Sequence, residues 1–140
     1  MIHIFKEYQW RDNPPKFQAG DIVTQKRYGY RGVIVHIDPT FQGDENWYLS
    51  NQTQPSKEQP WHFVLVDGNQ QFTYVAEENL YRDHSANPVM HPMLNLFFSG
   101  FNNELNRYIS NGVPWNPGAP PDAPPPLPPP SFQPPNPPAF

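Results

Sequence analysis

The 140-residue chain contains no cysteine and no long hydrophobic run. Without cysteine, neither a disulfide framework nor a zinc site with thiolate ligands can form, so packing and hydrogen bonds must stabilise the fold. The first residues mix polar and aromatic side chains and lack the continuous apolar stretch of a signal peptide or a membrane span. These absences predict a soluble cytoplasmic protein without a membrane partner.

Positive charge is also scarce, since 9 Lys and Arg face 13 Asp and Glu, for a formal net charge of −4. Contacts to phosphates supply most of the non-specific affinity of nucleic-acid-binding proteins and require a positive face. DNA binding by this chain would therefore depend on a local patch of cations rather than on its overall charge.

Proline is abundant, with 21 residues that are concentrated near the C-terminus. Because proline fixes φ and lacks a backbone donor, residues 113–140 are expected to form a disordered, polyproline-II-rich tail. This tail is interpreted either as a stiff spacer or as the ligand of a polyproline-binding partner. Residues 1–15 end in two prolines and are expected to be an N-terminal arm, which leaves 16–112 for one small domain.

Several stretches of this domain have the β-branched and aromatic content of strands and are bounded by turn residues. Asp67-Gly68-Asn69 is a strong hairpin signal, and two glycines separate the first two strands. In the second strand, strict alternation would place Val33, Val35 and Ile37 on one face. Four or five short strands on short connections predict a mainly β protein with an SH3-like or similar small barrel. The strands are expected at 22–25, 33–37, 61–66 and 72–76.

Two further segments are harder to interpret. Residues 40–58 form a long polar loop that contains Trp47 and Tyr48, and it is either a contact surface or a lid on the barrel rim. Apolar residues after Pro92 predict a short C-terminal helix, and a second helical turn is expected over 101–109. The inward residues of that second turn would be Phe101, Leu105, Tyr108 and Ile109.

One predicted hairpin tip carries three cations interleaved with two aromatic residues. Arginine can contact guanine edges or phosphates, tyrosine can stack or donate to a phosphate, and glycine lets a backbone approach closely. The alternative is an ordinary solvated tip. The candidate DNA-binding residues are Lys26, Arg27, Tyr28, Tyr30 and Arg31.

Catalytic and metal-binding signatures are weak. Asp83-His84-Ser85 is consecutive, whereas a triad is made by residues that converge in space. His36 and Asp38 could share a strand face that His62 joins, but partly exposed sheet histidines are the simpler interpretation. The acidic residues near the strand ends favour turn and capping roles over acid–base catalysis. The sequence therefore predicts a non-enzymatic protein without a metal or cofactor.

An ordered set of motifs gives the chain a family resemblance over about Phe17 to Phe101. The motifs include Gly29-Tyr30-x-Gly32-Val33, Ile37-Asp38-Pro39 and Gln59-Pro60-Trp61. Together they resemble the HspQ/YccV-like family, a heat-shock and hemimethylated-DNA-binding domain that also occurs in some F-box proteins. The family-motif residues among the candidate site residues are Asp38, Pro39, Asp67, Glu77, Glu78 and Asn79.

The resemblance implies a half-open β-barrel and a binding role. One implied function is binding of hemimethylated double-stranded DNA; the other is a stress-linked adaptor or specificity factor for an ATP-dependent protease or its substrates.

Protein contact is assigned to Trp47, Tyr48 and Trp61, and an exposed strand edge allows a homodimer. A cryptic hydrolase is the third hypothesis and would need a cleft that joins His36, His62 and a carboxylate.

Overall fold

The computed structural model of the chain describes residues 14–85 and 87–115. Nearly all of the expected N-terminal arm (1–15) and Pro-rich tail (113–140) lies outside these residues, so both stay predictions. Within the described residues, none of the helices is long and apolar enough to span a membrane. The elements in chain order are β1 (Ile22–Gln25), β2 (Arg31–Asp38), α1 (Glu45–Ser50), β3 (Trp61–Val66), β4 (Phe72–Ala76), a 3-10 helix (Glu77–Asn79), β5 (Leu80–Arg82), α2 (Leu94–Phe97), β6 (Phe98–Asn102) and β7 (Arg107–Ser110).

The strands form two antiparallel sheets. The larger sheet has five strands in the order β4-β3-β2-β1-β5, and β6 pairs with β7 in the smaller one. The larger sheet does not close into a barrel, because β4 and β5 lie at its two ends. The prediction of a mainly β fold, a half-open β-barrel with a short C-terminal helix, is confirmed as a mainly β fold whose sheet stays open.

Both faces of the larger sheet are covered, which explains why all six residues of β3 are buried. One face, which we call the inner face, is built on Ile34, Val64 and Val75 from three neighbouring strands. On the opposite face, Ile22, Val33 and Leu65 pack against residues of the smaller sheet, and an aromatic cluster lies beside them. A strand with near-continuous apolar sequence is typical of this two-sided burial.

A bulge in β2 changes which side chains share a face. The register with β3 shifts between Ile34 and His36, so the alternation of the strand is interrupted there. Ile37 consequently packs with Ile34 on the inner face, whereas Val33 and Val35 lie on the other. The expectation that Ile37 would follow Val33 and Val35 is therefore wrong, since alternation along a sequence cannot register an inserted residue.

The predicted second helical turn over 101–109 is also wrong, because this segment forms the β6–β7 hairpin. Its turn is rich in asparagine, and Asn106 adopts a positive φ of 55°, which asparagine tolerates better than most residues. Tyr108 is buried, but Leu105 and Ile109 are exposed rather than inward. A turn of this kind favours a hairpin over a helix.

The segment 40–58 is not wholly irregular, since it contains the short helix α1. Asp44 caps this helix by accepting a hydrogen bond from the backbone of Trp47 at 2.9 Å. An aspartate that caps the first turn is a local helix signal that the sequence already contained. At the other end of the described chain, Trp115 packs against Phe72 with ring centroids 4.9 Å apart, so packing extends past the boundary predicted at residue 112.

Candidate nucleic-acid interface

The β1–β2 hairpin tip is held in a defined shape by Gln25, whose side chain is completely buried. The Gln25 side-chain oxygen accepts a hydrogen bond from the backbone of Tyr28, and its carbonyl accepts one from Gly29 at 2.8 Å. Gly29 has a φ of +79°, a conformation that glycine adopts without strain. The backbone of Lys26 also donates to the carbonyl of Asn79 at 2.8 Å, which ties the tip to the 3-10 helix.

Three of the five predicted DNA-binding residues lie at the surface of this tip. The side chains of Lys26, Arg27 and Tyr28 are exposed. The guanidinium of Arg27 lies 5.8 Å from the ring centroid of Tyr28 and donates to the side-chain oxygen of Gln52 at 3.2 Å. Over the part of the chain that the structure describes, neither Lys26 nor Arg27 forms an ion pair. We refer to Lys26 and Arg27 as the tip cations.

Tyr30 belongs to the core rather than to the tip surface, which corrects its assignment as a DNA contact. Its ring packs against the inner face, and its hydroxyl shares a 2.7 Å hydrogen bond with Thr73 of β4. Burial raises the pKa of the Tyr30 phenol above its usual range, although the hydrogen bond with Thr73 opposes the shift. This side chain therefore bridges strands instead of facing a ligand.

Arg31 is likewise engaged inside the protein, so its assignment as a free DNA contact is also corrected. Its guanidinium forms ion pairs with Asp67 at 2.7 Å and Asp83 at 3.2 Å, and it donates to the carbonyl of Asn87. Burial alone would raise the pKa of Asp83, but hydrogen bonds from Ser85 and the charge of Arg31 hold that pKa below its usual value. Arg31 thus connects β2 to two distant segments.

Two of the residues that match the family motifs fix the ends of strands. Asp38, the last residue of β2 before Pro39, accepts a 2.6 Å hydrogen bond from the hydroxyl of Tyr74. Asp67 accepts a 2.8 Å hydrogen bond from the backbone of Met90 in addition to its pairing with Arg31. Both carboxylates therefore stabilise connections between elements.

Three further motif residues form the 3-10 helix. Glu77 accepts a 2.8 Å hydrogen bond from the backbone of Lys16, and Glu78 exchanges two hydrogen bonds with the side chain of Gln59. The Asn79 carbonyl receives the bond from the hairpin tip. These contacts place the helix as a support for the tip, which fits the capping role expected of the acidic pair.

The predicted protein-contact residues are buried, so the structure removes them from a partner surface. Trp47 and Tyr48 are each 8% exposed, and Trp61 is 0% exposed. Trp61 donates from its indole nitrogen to the carbonyl of Ser56 at 3.1 Å, and Tyr48 donates to that of Pro55 at 2.7 Å. The segment 40–58 is therefore anchored by its aromatic residues, as the lid interpretation expected.

A buried carboxylate beneath the sheet edge was missed by the sequence reasoning. Asp21 is 1% exposed and pairs with two arginines, Arg82 at 3.0 Å and Arg107 at 2.9 Å. The Asp21 oxygen that pairs with Arg82 also accepts a 3.0 Å hydrogen bond from the backbone of Gln18. No sequence signal identifies this group, because Arg107 is 86 residues away along the chain.

The histidine arrangement required by a metal site or a hydrolase does not form. His36 does contact Asp38 at 3.0 Å, but His62 is buried and its Nδ1 donates to the carbonyl of Val75 at 3.1 Å. Phe17 packs against the same ring, with centroids 5.7 Å apart. Among the described residues, no group of three or more His, Cys, Asp or Glu side chains is arranged to hold a metal ion.

We expect His62 to make folding sensitive to acid. Burial lowers its pKa from 6.5 to about 4, so the unfolded chain takes up a proton below about pH 6.5 while the folded protein stays neutral to about pH 4. The contribution of this group to stability is thus present above pH 6.5 and is lost as the pH falls towards 4. Between pH 7 and pH 5 the free energy of unfolding should fall by about 2 kcal/mol from this group alone.

Urea unfolding across this pH range tests the expectation. The variant His62→Gln should have a flatter dependence of stability on pH than the parent protein, although it starts from a lower stability. Burial also lowers the pKa of His91, so a residual slope of the same sign should remain in the variant. Equal slopes for the two proteins would contradict the assignment to His62.

Comparison with known proteins adds a family match. Residues 15–105 match a family model described as hemimethylated DNA-binding protein YccV like. The chain is also similar to F-box only protein 21 from Homo sapiens and from Pongo abelii, each 33% identical over 98 residues, and from Mus musculus, 32% identical over 98 residues. These alignments cover 68% of this chain but only 15% of each relative.

Proposed function

The chain belongs to the YccV-like family, and we propose that it is a non-enzymatic module that binds double-stranded DNA through the tip of the β1–β2 hairpin. Hemimethylated DNA, which the description of the family model names, is the proposed preferred form. The observation that carries the proposal is the exposure of Lys26 and Arg27 at the tip without an ion pair in the described structure. Most of the other cations in the domain are paired with carboxylates.

The tip has the chemistry that duplex recognition needs. A lysine ammonium neutralises a phosphate, and an arginine can bind a phosphate or the edge of guanine through two donors. Nothing lies within 4 Å of where a side chain would begin at Gly29, so the backbone there is open to close approach. Tyr28 adds an exposed ring and hydroxyl beside the two cations.

We expect the double variant Lys26→Gln/Arg27→Gln to bind a duplex at least about tenfold more weakly at low salt, because two phosphate contacts are lost. The slope of log affinity against log salt should fall by about 2. Fluorescence anisotropy with hemimethylated, fully methylated and unmethylated duplexes of one sequence, across a salt series, measures both quantities. The hemimethylated duplex should bind most tightly to the parent protein.

A charge-matched control separates the tip from general electrostatics. Lys57→Gln also removes one cation, but Lys57 is paired with Glu45 on α1. Its binding should resemble that of the parent, whereas Lys26→Gln should be weaker. Arg31 is left unchanged in these tip and control variants because it has a structural role. Equal effects of the two single substitutions would argue against recognition at the tip, and no binding to any duplex near physiological salt would overturn the proposed function.

A second candidate is the adaptor role for an ATP-dependent protease or its substrates. It is favoured by the acidic balance of the described residues, seven Lys and Arg against ten Asp and Glu, and by several exposed apolar side chains outside the hairpin tip. The test is the rate at which a purified protease degrades a fluorescent substrate with and without the domain. The exposed apolar residues include Met90, Leu96, Leu105 and Ile109.

Cytoplasmic location, homodimer formation and a polyproline-binding partner for the tail stay predictions.

A further inference from the structure

Two arginines share one buried carboxylate at the start of β1. Arg82 and Arg107 both pair with Asp21, so the group keeps one uncompensated positive charge. The Asp21 side chain is almost completely enclosed, whereas about a third of the Arg82 side chain and a quarter of the Arg107 side chain are exposed. A guanidinium that is anchored at one end loses less side-chain entropy when it binds a ligand.

Arg82 has donors to spare. A guanidinium has five N–H groups, and in the described structure the only partner of the Arg82 guanidinium is Asp21, through one terminal nitrogen. The carboxylate thus fixes the position of the side chain without saturating it. The Nε of Arg107 donates to the other oxygen of Asp21. Arg107 thus holds the carboxylate from β7, in the smaller sheet.

The register of β1 and β5 places this arginine in line with the tip cations. Arg82 pairs with Val23, Tyr81 with Thr24 and Leu80 with Gln25, and the next contact is the Lys26 backbone bond to Asn79. Three residues of strand separate Val23 from Lys26, which corresponds to about 10 Å. A separation of about 10 Å is short enough for both positions to contact the backbone of one duplex, whose phosphate charges are closely spaced along the helix axis.

We propose that the edge formed by β5 is a second part of the DNA interface, in which Arg82 binds the phosphate backbone of the duplex that the tip cations contact. This inference rests on the proposed function and extends it to a named residue outside the hairpin tip. β5 is the terminal strand of its sheet, so no strand of the described structure covers its outer side. Tyr81, which is 49% exposed, lies on this edge between Arg82 and the tip.

The carboxylates near this edge differ in their partners. Asp83 follows Arg82 directly, but it is paired with Arg31. Glu77 and Glu78 lie beyond the tip end of β5, where they accept hydrogen bonds from the Lys16 backbone and the Gln59 side chain. Along β5 and the tip, the edge therefore carries Arg82, Lys26 and Arg27, while Arg107 on β7 shares Asp21 with Arg82. Glu77 and Glu78, whose partners are uncharged, lie at the tip end of this edge, in a domain that is acidic as a whole.

The first test inserts charges at Tyr81, because this side chain is exposed and makes no contact with the Asp21 group in the described structure. Tyr81→Glu should weaken duplex binding about fivefold and Tyr81→Lys should tighten it by a similar factor, as expected for one unit charge close to a phosphate in water. The salt slope should be steeper by about 0.9 for Tyr81→Lys. Fluorescence anisotropy with the duplex that the parent protein binds best gives both readouts.

Leu96 provides the matched control. It is 56% exposed on α2, next to the Phe98–Ser110 end of the smaller sheet, whereas Arg107 pairs at the other end. Leu96→Glu and Leu96→Lys make equal changes in net charge and should leave binding close to that of the parent. The direct variant Arg82→Gln should weaken binding about fivefold and lower the salt slope by about 0.9, with its thermal unfolding recorded to confirm that it is folded at the assay temperature.

The outcomes separate this inference from the proposed function. If Tyr81 and Leu96 variants shift affinity by equal factors while the tip variant loses binding, the β5 edge is outside the interface and only the tip proposal survives. If the parent protein binds no duplex, the proposed function and this inference are both overturned. Opposite shifts for Tyr81→Glu and Tyr81→Lys, absent at Leu96, would support the β5 edge.

Discussion

Replacing Trp61 by alanine is expected to lower the free energy of unfolding by about 4 kcal/mol, the largest effect of any single substitution considered for this protein. Trp61 has no exposed surface, and its ring lies 4.9 Å from Phe41 and 5.3 Å from Tyr74 between ring centroids. Its removal leaves a cavity among rigid rings and takes away the hydrogen bond to the Ser56 carbonyl. Urea unfolding followed by circular dichroism measures the loss.

Two other substitutions make this result specific. Trp61→Phe keeps an aromatic ring in the cluster and should cost less than half as much as the alanine variant. Leu49→Ala, on the exposed side of the neighbouring helix, should change stability by no more than about 0.5 kcal/mol. If Trp61→Ala were instead as stable as the parent but deficient in binding a protein partner, the ring would be a contact residue and the buried cluster would not be the core.

Local sequence signals were sufficient for the main strands. The bounds expected for β1, β3 and β4 agree with the structure, because the β-branched and aromatic runs there have glycine, proline or acidic turn residues on at least one side. The half-open arrangement came from the family resemblance and is confirmed by the strand order. The helical turn predicted over 101–109 was wrong because apolar residues at helical spacing also fit a hairpin when an asparagine turn lies between them.

The candidate site was only partly predictable, since a sequence shows which residues are neighbours along the chain and not which are neighbours in space. Lys26, Arg27 and Arg31 look alike in the sequence, yet only the first two have no ion pair in the described structure. Arg31 pairs with a carboxylate 36 residues away, and the two partners in the Arg82–Asp21 pair are still farther apart in the sequence. Such ion pairs depend on strand register, which composition and spacing do not determine.

Arg31→Ala is expected to lower the free energy of unfolding by about 3 kcal/mol, in the lower part of the range for breaking a buried ion pair because about a fifth of the side chain is exposed. The substitution leaves Asp67 and Asp83 without their shared cation and removes the bond to the Asn87 carbonyl. The pKa of Asp83 should rise when the arginine is gone, because the charge of Arg31 helps to hold it low. Urea unfolding at pH 7 measures the loss of stability.

A comparison with the tip cations decides whether Arg31 acts through folding or through DNA. Lys26→Gln/Arg27→Gln should unfold at nearly the same urea concentration as the parent, since exposed side chains without ion pairs contribute little to stability. Arg31→Ala, assayed at a temperature where it is fully folded, should keep most of its affinity for a duplex, whereas the tip variant should lose it. A folded Arg31→Ala protein that binds DNA as weakly as the tip variant would return Arg31 to the interface. Arg31→Lys should recover only part of the stability, because a lysine ammonium cannot match the spread of donors with which the guanidinium reaches both carboxylates and the carbonyl.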